Sequence, residues 1–263
     1  MPPRAAESLV RKLERRLGVG SGGHLRYSGE SVVFQILGQL SEKAVVIFDV
    51  GANVGNYAKM AIMHIPDKID YVIHCFEPSP VAFQNLCKQF ADDHKVITNQ
   101  FAMGASQGPA LLYTDSELSL LASLTKRNLD HYQIQHDQIV HKVNVTTLDR
   151  YATENNITSI DLLKIDVEGH EMDVMNGASQ FIDNGLVKLI QFEFGGCNID
   201  TRVFFRDIYN FLVNKGYYIY RILPRNRLLA ISNYREWHER FETTNYLAVR
   251  NDIDVRKTKI VIA

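Results

Sequence analysis

The chain has three cysteines, Cys75, Cys87 and Cys197, and none stands in a C-x-x-C pair or at zinc-ligand spacing. A disulfide framework and a structural zinc site are therefore excluded as organising principles. So sparse and odd a set fits free thiols in a reducing compartment, and the expected location is cytoplasmic. Long apolar runs are missing too, so no transmembrane segment is expected. The first residues, MPPRAAESLVRKLERRLGVG, lack an apolar core of secretory length. Charge of one sign is also lacking, since 29 basic residues face 30 acidic ones and the formal net charge is −1. That balance gives no electrostatic footprint for nucleic acid. Neither the lysine-bearing phosphate loop G-x-x-x-x-G-K-[ST] nor the dinucleotide turn G-x-G-x-x-G occurs. An NAD-dependent oxidoreductase thus stands only as an alternative, beside a non-catalytic scaffold.

What is present is an ordinary globular composition, 46% hydrophobic and 22% charged over 263 residues, enough for one large α/β domain. A short basic amphipathic helix is expected over residues 6–17, with Leu9, Val10, Leu13 and Leu17 on one side. Gly18 to Gly23 reads as a flexible link. Residues 1–26 are accordingly set apart from a domain at 27–250 and from a tail at 251–263. Inside the domain, apolar runs alternate with segments of helical period. AVVIFDV (44–50), YVIHCFEP (71–78), KVITNQFA (95–102), DLLKIDV (161–167) and LVKLIQFEF (186–194) read as buried strands. Strands separated by helices imply a mostly parallel sheet with right-handed crossovers. Runs without strict alternation imply cover on both faces. The expected fold class is α/β, a doubly wound sheet with N-terminal helical additions, closed by late strands that form an antiparallel edge.

In such a sheet ligands bind beyond the carboxyl ends of the strands. FDVGANVGNY (48–57) runs from the end of the first strand, at Asp49, into the turn beyond it, with Gly51, Asn53, Gly55 and Asn56. Glycine in that turn lets the backbone approach a ligand and lets the next helix start close to the strand. The second strand ends in Phe76-Glu77-Pro78-Ser79. An acid at that point suits a ribose diol, or else caps the following helix.

The segment Asp49 to Asn56 resembles the S-adenosylmethionine loop of class I methyltransferases, and Phe76 to Ser79 resembles their ribose-binding acid segment. TLDRY (147–151) and DLLKIDVEGHEMDVMNGA (161–178) narrow the likeness to FkbM-type methyltransferases, and FEF (192–194) and NYLA (245–248) extend it. The resemblance runs from about residue 27 to 250, and IDVEGHE is its most specific part. It implies a seven-stranded Rossmann-like sheet, S-adenosyl-L-methionine as methyl donor, and O-methylation of a sugar, glycan or other small hydroxylated acceptor. It places Asp49, Gly51, Asn53, Gly55 and Asn56 on the methionine side, with Glu30 reaching the same part. Glu77 and Pro78 belong to the ribose segment, and Phe101 and Ala102 lie near adenine.

The chemistry is expected past the strand 161–167. Side chains alternate along a strand, so Lys164 and Asp166 point the same way. A lysine inside a buried strand is costly without partners, and Asp166 and Glu168 are close in sequence. Glu193 ends the next strand, and Asp166 and Glu193 approach each other if those strands are neighbours. Adjacent carboxylates suit acid–base work or a divalent cation; no residue is assigned as a metal ligand. His170 follows in the same loop, which separates it from His24, His64 and His238. Asp166 or His170 is the expected base, with Glu168 and Glu193 positioning and Lys164 holding the acids. Acceptor recognition is expected from 115–140, with Asn128, His131, Tyr132 and His136, or from Trp237.

Overall fold

The structure, a computed structural model, describes residues 2–23, 25–41, 43–258 and 260–262, so His24 lies outside the described residues. The chain opens with helices α1 (Pro3–Arg16), α2 (Leu25–Ser28) and α3 (Val32–Leu40). Strand and helix then alternate: β1 (Ala44–Val50), α4 (Asn56–His64), β2 (Asp70–Phe76), α5 (Pro80–Gln89) and β3 (Val96–Asn99). Next come β4 (Ala102–Met103), β5 (Gly108–Thr114) and β6 (Ile139–Thr146). After α6 (Leu148–Glu154) the alternation resumes with β7 (Ile160–Ile165), α7 (Glu171–Gly177), α8 (Ser179–Asp183), β8 (Val187–Phe194), α9 (Cys197–Thr201) and α10 (Phe205–Asn214). The closing strands are β9 (Tyr217–Leu223), β10 (Arg227–Ile231), β11 (Thr244–Arg250) and β12 (Val261–Ile262).

Among the described residues the main sheet has nine strands, in the order β12-β10-β9-β11-β8-β7-β1-β2-β3. β3, β2, β1, β7 and β8 pair in parallel, and β11 enters antiparallel between β8 and β9. The expected seven strands run from β3 to β9, and β10 and β12 extend that edge. β10 folds back through a turn with Arg225 and Asn226 in the left-handed region, which matches the twist of an antiparallel hairpin. β12 lies in the tail and adds the outermost strand.

Each central strand feeds two cores by alternation. From β1, Val45 and Ile47 pack with Phe34, Leu37, Ala58 and Leu86 from α3, α4 and α5. Phe48 and Val50 face the other way, against Val174, Ile182 and Ile208 from α7, α8 and α10. Burying each such side chain contributes roughly 1.5–3 kcal/mol. Helices on both faces thus confine polar groups to the strand ends, where the loops after β1, β2 and β7 meet.

β4, β6 and β5 form a separate three-stranded sheet. Its β5–β6 ladder, from Gly108↔Val145 to Thr114↔Ile139, carries residues 115–138 over those strand ends. The stretch expected to be a flexible link is pinned instead. Val19 is buried, Leu17 O accepts from Arg221 Nη1, and Gly22 N donates to Thr243 O. Val255 of the tail is buried in the same core as α3 and α4. α1 buries none of its side chains. Among the described residues no helix is long and apolar enough to cross a membrane.

Candidate active site

Backbone hydrogen bonds stitch the three loops together. Gly51 N and Ala52 N both donate to Phe76 O, and Asp166 N donates to Val50 O. Gly51 has φ +79°, and a Cβ there would sit 1.8 Å from Asp166 O. The glycine is thus required by contact between two loops of the protein. Gly55, at φ +89°, begins α4 against α5, where a Cβ would meet Phe90 and Leu86. It is absent from the cavity wall, which corrects its expected place on the methionine side.

These loops surround a cavity of about 540 Å³, of a size suited to a small organic ligand. One end is bordered by Asn53, Asn56, Glu77, Pro78, Ala102 and Met103. The other is bordered by Lys164, Asp166, Glu168, His170 and Glu193, with Glu30 and Asn245 alongside. The segment Ser119 to Leu124 roofs it, tied down where Asn53 Nδ2 donates to Ser119 O (3.1 Å) and Ser123 Oγ donates to Glu168 O (2.8 Å).

Glu77 sits just past β2 and is buried. Its Oε2 accepts from Asn53 N (2.8 Å) and its Oε1 from Ser79 N (2.7 Å). Of the two expected uses of this acid, the structure shows the capping one. It braces the start of α5 and the glycine loop, and each oxygen keeps acceptor capacity. Phe101 does not border the cavity; it packs behind Phe76 (5.7 Å between centroids) and Tyr151 (5.8 Å). Its expected place near adenine is thus corrected to a supporting one, because its ring packs against the core beside Phe76 and Tyr151.

Asp49 is also moved. It lies wholly beneath the floor, opposite Lys164 in the β1–β7 register, with no exposure to the cavity. Among the described residues neither of its oxygens has a hydrogen-bond partner, and Lys164 Nζ at 3.4 Å is its charge partner. Lys164 Nζ also lies 3.3 Å from Asp166 Oδ2, 3.4 Å from Gly51 O and 5.2 Å over the Tyr57 ring. Burial works against its charge, yet Asp166, Asp49 and Glu30 together hold its pKa above the ordinary lysine value. On the same floor, Tyr57 OH donates to Gln191 Oε1 (2.6 Å), Gln191 Nε2 to Glu30 Oε1 (2.7 Å), and Ser28 Oγ to Glu30 Oε2 (2.6 Å). Glu30 thus borders the cavity and is fixed there by a buried network.

The acids of IDVEGHE divide into roles. Asp166 is the most open, with its side chain 38% exposed. Glu168 adopts a left-handed φ of 53° and turns its carboxylate inward, where Arg127 Nη1 donates to Oε2. Glu171 folds back and accepts from Val167 N (3.2 Å) and Gly169 N (3.1 Å), which holds the loop's shape. His170 borders the cavity, but Nδ1 meets Asp173 Oδ2 (2.7 Å) and Nε2 meets Thr125 Oγ1 (3.0 Å). With both ring nitrogens engaged, it has no free lone pair for a ligand hydroxyl.

Arg127 is the site residue that sequence reasoning missed. It is buried and binds both Glu168 and Asp200 (3.4 Å). It lies in an aperiodic segment 41 positions before its partner, so no local signal reports it. Asn128, His131, Tyr132 and His136 do not border the cavity, and His136 instead accepts from Arg127 N and braces the roof at Leu121 O. Trp237 lies apart as well, beside Arg221 and Arg240.

Burial raises the carboxyls of Glu30 and Glu77 to about 7 and that of Glu168 to about 8, and it drives Glu193 well above the usual range, with repulsion from Asp166 and Glu168 adding to the last. A carboxyl raised on folding contributes stability below its unfolded value of 4.5, and loses it as pH rises through the folded value. His74, depressed by burial to about 4 from 6.5, acts in the opposite direction below pH 6.5. Above that only the carboxyls matter. Glu30, Glu77 and Glu168 alone are expected to cost the ligand-free chain about 3 kcal/mol, or ~5–10 °C of melting temperature, between pH ~6.5 and ~8, and Glu193 adds to that loss. A melting temperature that rises over this interval would contradict these buried carboxyls.

A family model described as the methyltransferase FkbM domain matches residues 49–219. The 2-O-methyltransferase NoeI of Sinorhizobium fredii strain NGR234 is 27% identical over 184 residues, 66% of this chain and 74% of that protein. The hexuronic acid methyltransferase AglP of Haloferax volcanii is 24% identical over 157 residues, 59% of each. The 31-O-demethyl-FK506 methyltransferase FkbM of Streptomyces tacrolimicus is 31% identical over 156 residues, 50% of this chain and 58% of that protein. The chain thus spans under two thirds of the last two.

Proposed function

Since the chain belongs to the FkbM methyltransferase family and its reaction class is S-adenosylmethionine-dependent O-methyl transfer, we propose that it methylates a sugar hydroxyl with Asp166 as base. The observation that carries this reading is one cavity with Glu77 at one end and the carboxylates Asp166, Glu168 and Glu193 at the other. Two of the relatives above are named for 2-O-methylation and for a hexuronic acid. The third is named for 31-O-demethyl-FK506, which keeps methylation at oxygen as the common feature.

The donor set fits S-adenosylmethionine on charge. Among the described residues Glu30, Glu77, Asp166, Glu168 and Glu193 line the cavity with Lys164 as the cation on its wall, and Arg127 stands behind Glu168. A cationic ligand is favoured here because it draws these raised carboxyls towards their charged form, whereas the pyrophosphate of NAD would hold them neutral and finds no cationic cradle, which argues against the oxidoreductase alternative. When bound, the donor supplies a methyl group on a sulfonium.

Glu77 takes the ribose diol with the acceptor capacity its two backbone bonds leave free. Gly51, Asn53 and Asn56 line the methionine side, and Pro78 and Ala102 line the adenine side. Asp166, held by Lys164 through one oxygen, uses the other to accept the acceptor's hydroxyl proton. Glu168 and Glu193 orient neighbouring hydroxyls. Alignment of two bound reactants supplies much of the rate, and the base adds ~10²–10⁴-fold. The balanced charge of −1 supports a small acceptor over nucleic acid.

Glu77→Gln tests the donor side. A glutamine presents an N–H₂ where Asn53 N or Ser79 N now donates, so one bond is replaced by a donor–donor clash. Donor affinity is expected to fall roughly 10–100-fold, at about 1.5–3 kcal/mol for a charged hydrogen bond, as read by calorimetry. Unchanged affinity would remove Glu77 from the ribose. For the acceptor, labelled donor is incubated with neutral and uronic-acid oligosaccharides and with hydroxylated macrolides, and products are read by mass spectrometry. Label on an oligosaccharide oxygen is the expected result, and label on the macrolides alone would overturn the sugar reading.

A further inference from the structure

Ligand oxygens of Asp166, Glu168 and Glu193 lie within 4.8 Å of one another at the acceptor end of the cavity. The two cations nearby satisfy only part of this trio. Lys164 takes Asp166 Oδ2, and Arg127 takes Glu168 Oε2. Asp166 Oδ1 and Glu168 Oε1 remain free, and Glu193 accepts no hydrogen bond among the described residues, although it is only 9% exposed and borders the cavity. An unpartnered carboxylate nine-tenths buried and turned towards two others is costly in a chain with nothing to offset it. Asp166, Glu168, Glu171 and Glu30 all add repulsion at that point.

We propose that Asp166, Glu168 and Glu193 bind one hard divalent cation, Mg²⁺ or Mn²⁺, and that this cation takes two adjacent oxygens of the acceptor, with Asp166 Oδ1 giving one lone pair to the cation and keeping the other for the hydroxyl proton. The chemistry follows from the donors. All are carboxylate oxygens, with no imidazole or thiolate among them, and that set suits Mg²⁺, Mn²⁺ or Ca²⁺ over zinc or copper. The spacing fits as well. Oxygens on opposite sides of an ion lie about 4.0–4.2 Å apart for Mg²⁺ and about 4.6–5.2 Å apart for Ca²⁺, so the trio closes on such an ion with small side-chain shifts. The free oxygens come from the end of β8 and from the loop after β7, both anchored in the sheet. The cation's remaining positions face the cavity. A vicinal diol or a hydroxy-carboxylate fills two of them and is thereby fixed in orientation, whereas an isolated hydroxyl fills one. This second half rests on the methyl-transfer reading; the cation site itself does not.

The test uses the full chain, freed of metal by a chelator, and titrates it with MnCl₂ followed by electron paramagnetic resonance. The expected result is one bound Mn²⁺ per chain, displaced by Mg²⁺. Glu193→Gln and Glu168→Gln, nearly isosteric, are each expected to weaken binding at least tenfold. Glu154→Gln, on the exposed face of α6, leaves it unchanged. S-adenosylhomocysteine binding is measured on the same samples and reports both folding and the donor site. A wild-type chain that binds the nucleoside but no Mn²⁺ overturns the cation site, as does a Glu193→Gln chain that binds Mn²⁺ like wild type. A chain that binds Mn²⁺ through Glu193 but no nucleoside upholds the cation site and overturns the methyl-transfer reading instead.

Discussion

Replacing Lys164 by methionine is expected to lower folding stability by about 3–5 kcal/mol and to abolish methyl transfer. The ammonium lies under the cavity floor between Asp49 at 3.4 Å and Asp166 at 3.3 Å. Asp49 is fully buried, and among the described residues its oxygens have no hydrogen-bond partner. Without Lys164 that carboxylate is left uncompensated in an apolar surround, and removing one member of a buried pair costs more than the pair is worth. Urea unfolding monitored by circular dichroism measures the loss. Adding Asp49→Asn to Lys164→Met removes the stranded charge, so the double variant is expected to recover part of the stability, which a double-mutant cycle quantifies. A single variant within 1 kcal/mol of wild type, or a double variant worse than the sum of its parts, would show that the pair does not hold the floor.

Asp166→Asn is expected to reduce kcat/KM by ~10²–10⁴-fold while leaving donor affinity unchanged. Asp166 is the most exposed of the three clustered acids and keeps one oxygen clear of Lys164. His170→Ala is expected to cost less than about tenfold, because both ring nitrogens already have partners in Asp173 and Thr125. Steady-state kinetics on the best acceptor, with donor affinity from calorimetry, separates the two. Near wild-type turnover in Asp166→Asn, or the larger loss in His170→Ala, would move the base to the histidine.

The parallel strands were legible because a strand covered on both faces leaves a continuous apolar run, and polar residues at its end stand out. AVVIFDV, YVIHCFEP and DLLKIDV all show this, and Glu77, Lys164 and Asp166 were found by it. The same logic missed depth. Asp49 ends its strand as Glu77 does, yet register places it opposite Lys164 beneath the floor. Gly55 and Phe101 were misplaced because their neighbours, Phe90 on one side and Tyr151 on the other, come from distant segments. The separate β4-β6-β5 sheet was not legible either, since a strand's apolar pattern does not say which sheet it joins. Arg127 was invisible for a related reason: only the path of the 115–138 segment over the strand ends brings it to Glu168.

The account turns on the donor lying across one cavity, with its ribose at the end of β2 and its sulfur towards the acids after β7. A crystal structure of the chain with S-adenosylhomocysteine measures this directly. The account predicts ribose hydroxyls within hydrogen-bond distance of Glu77 and the sulfur on the side of Asp166. A nucleoside bound away from Glu77, or a sulfur turned away from Asp166, would contradict it.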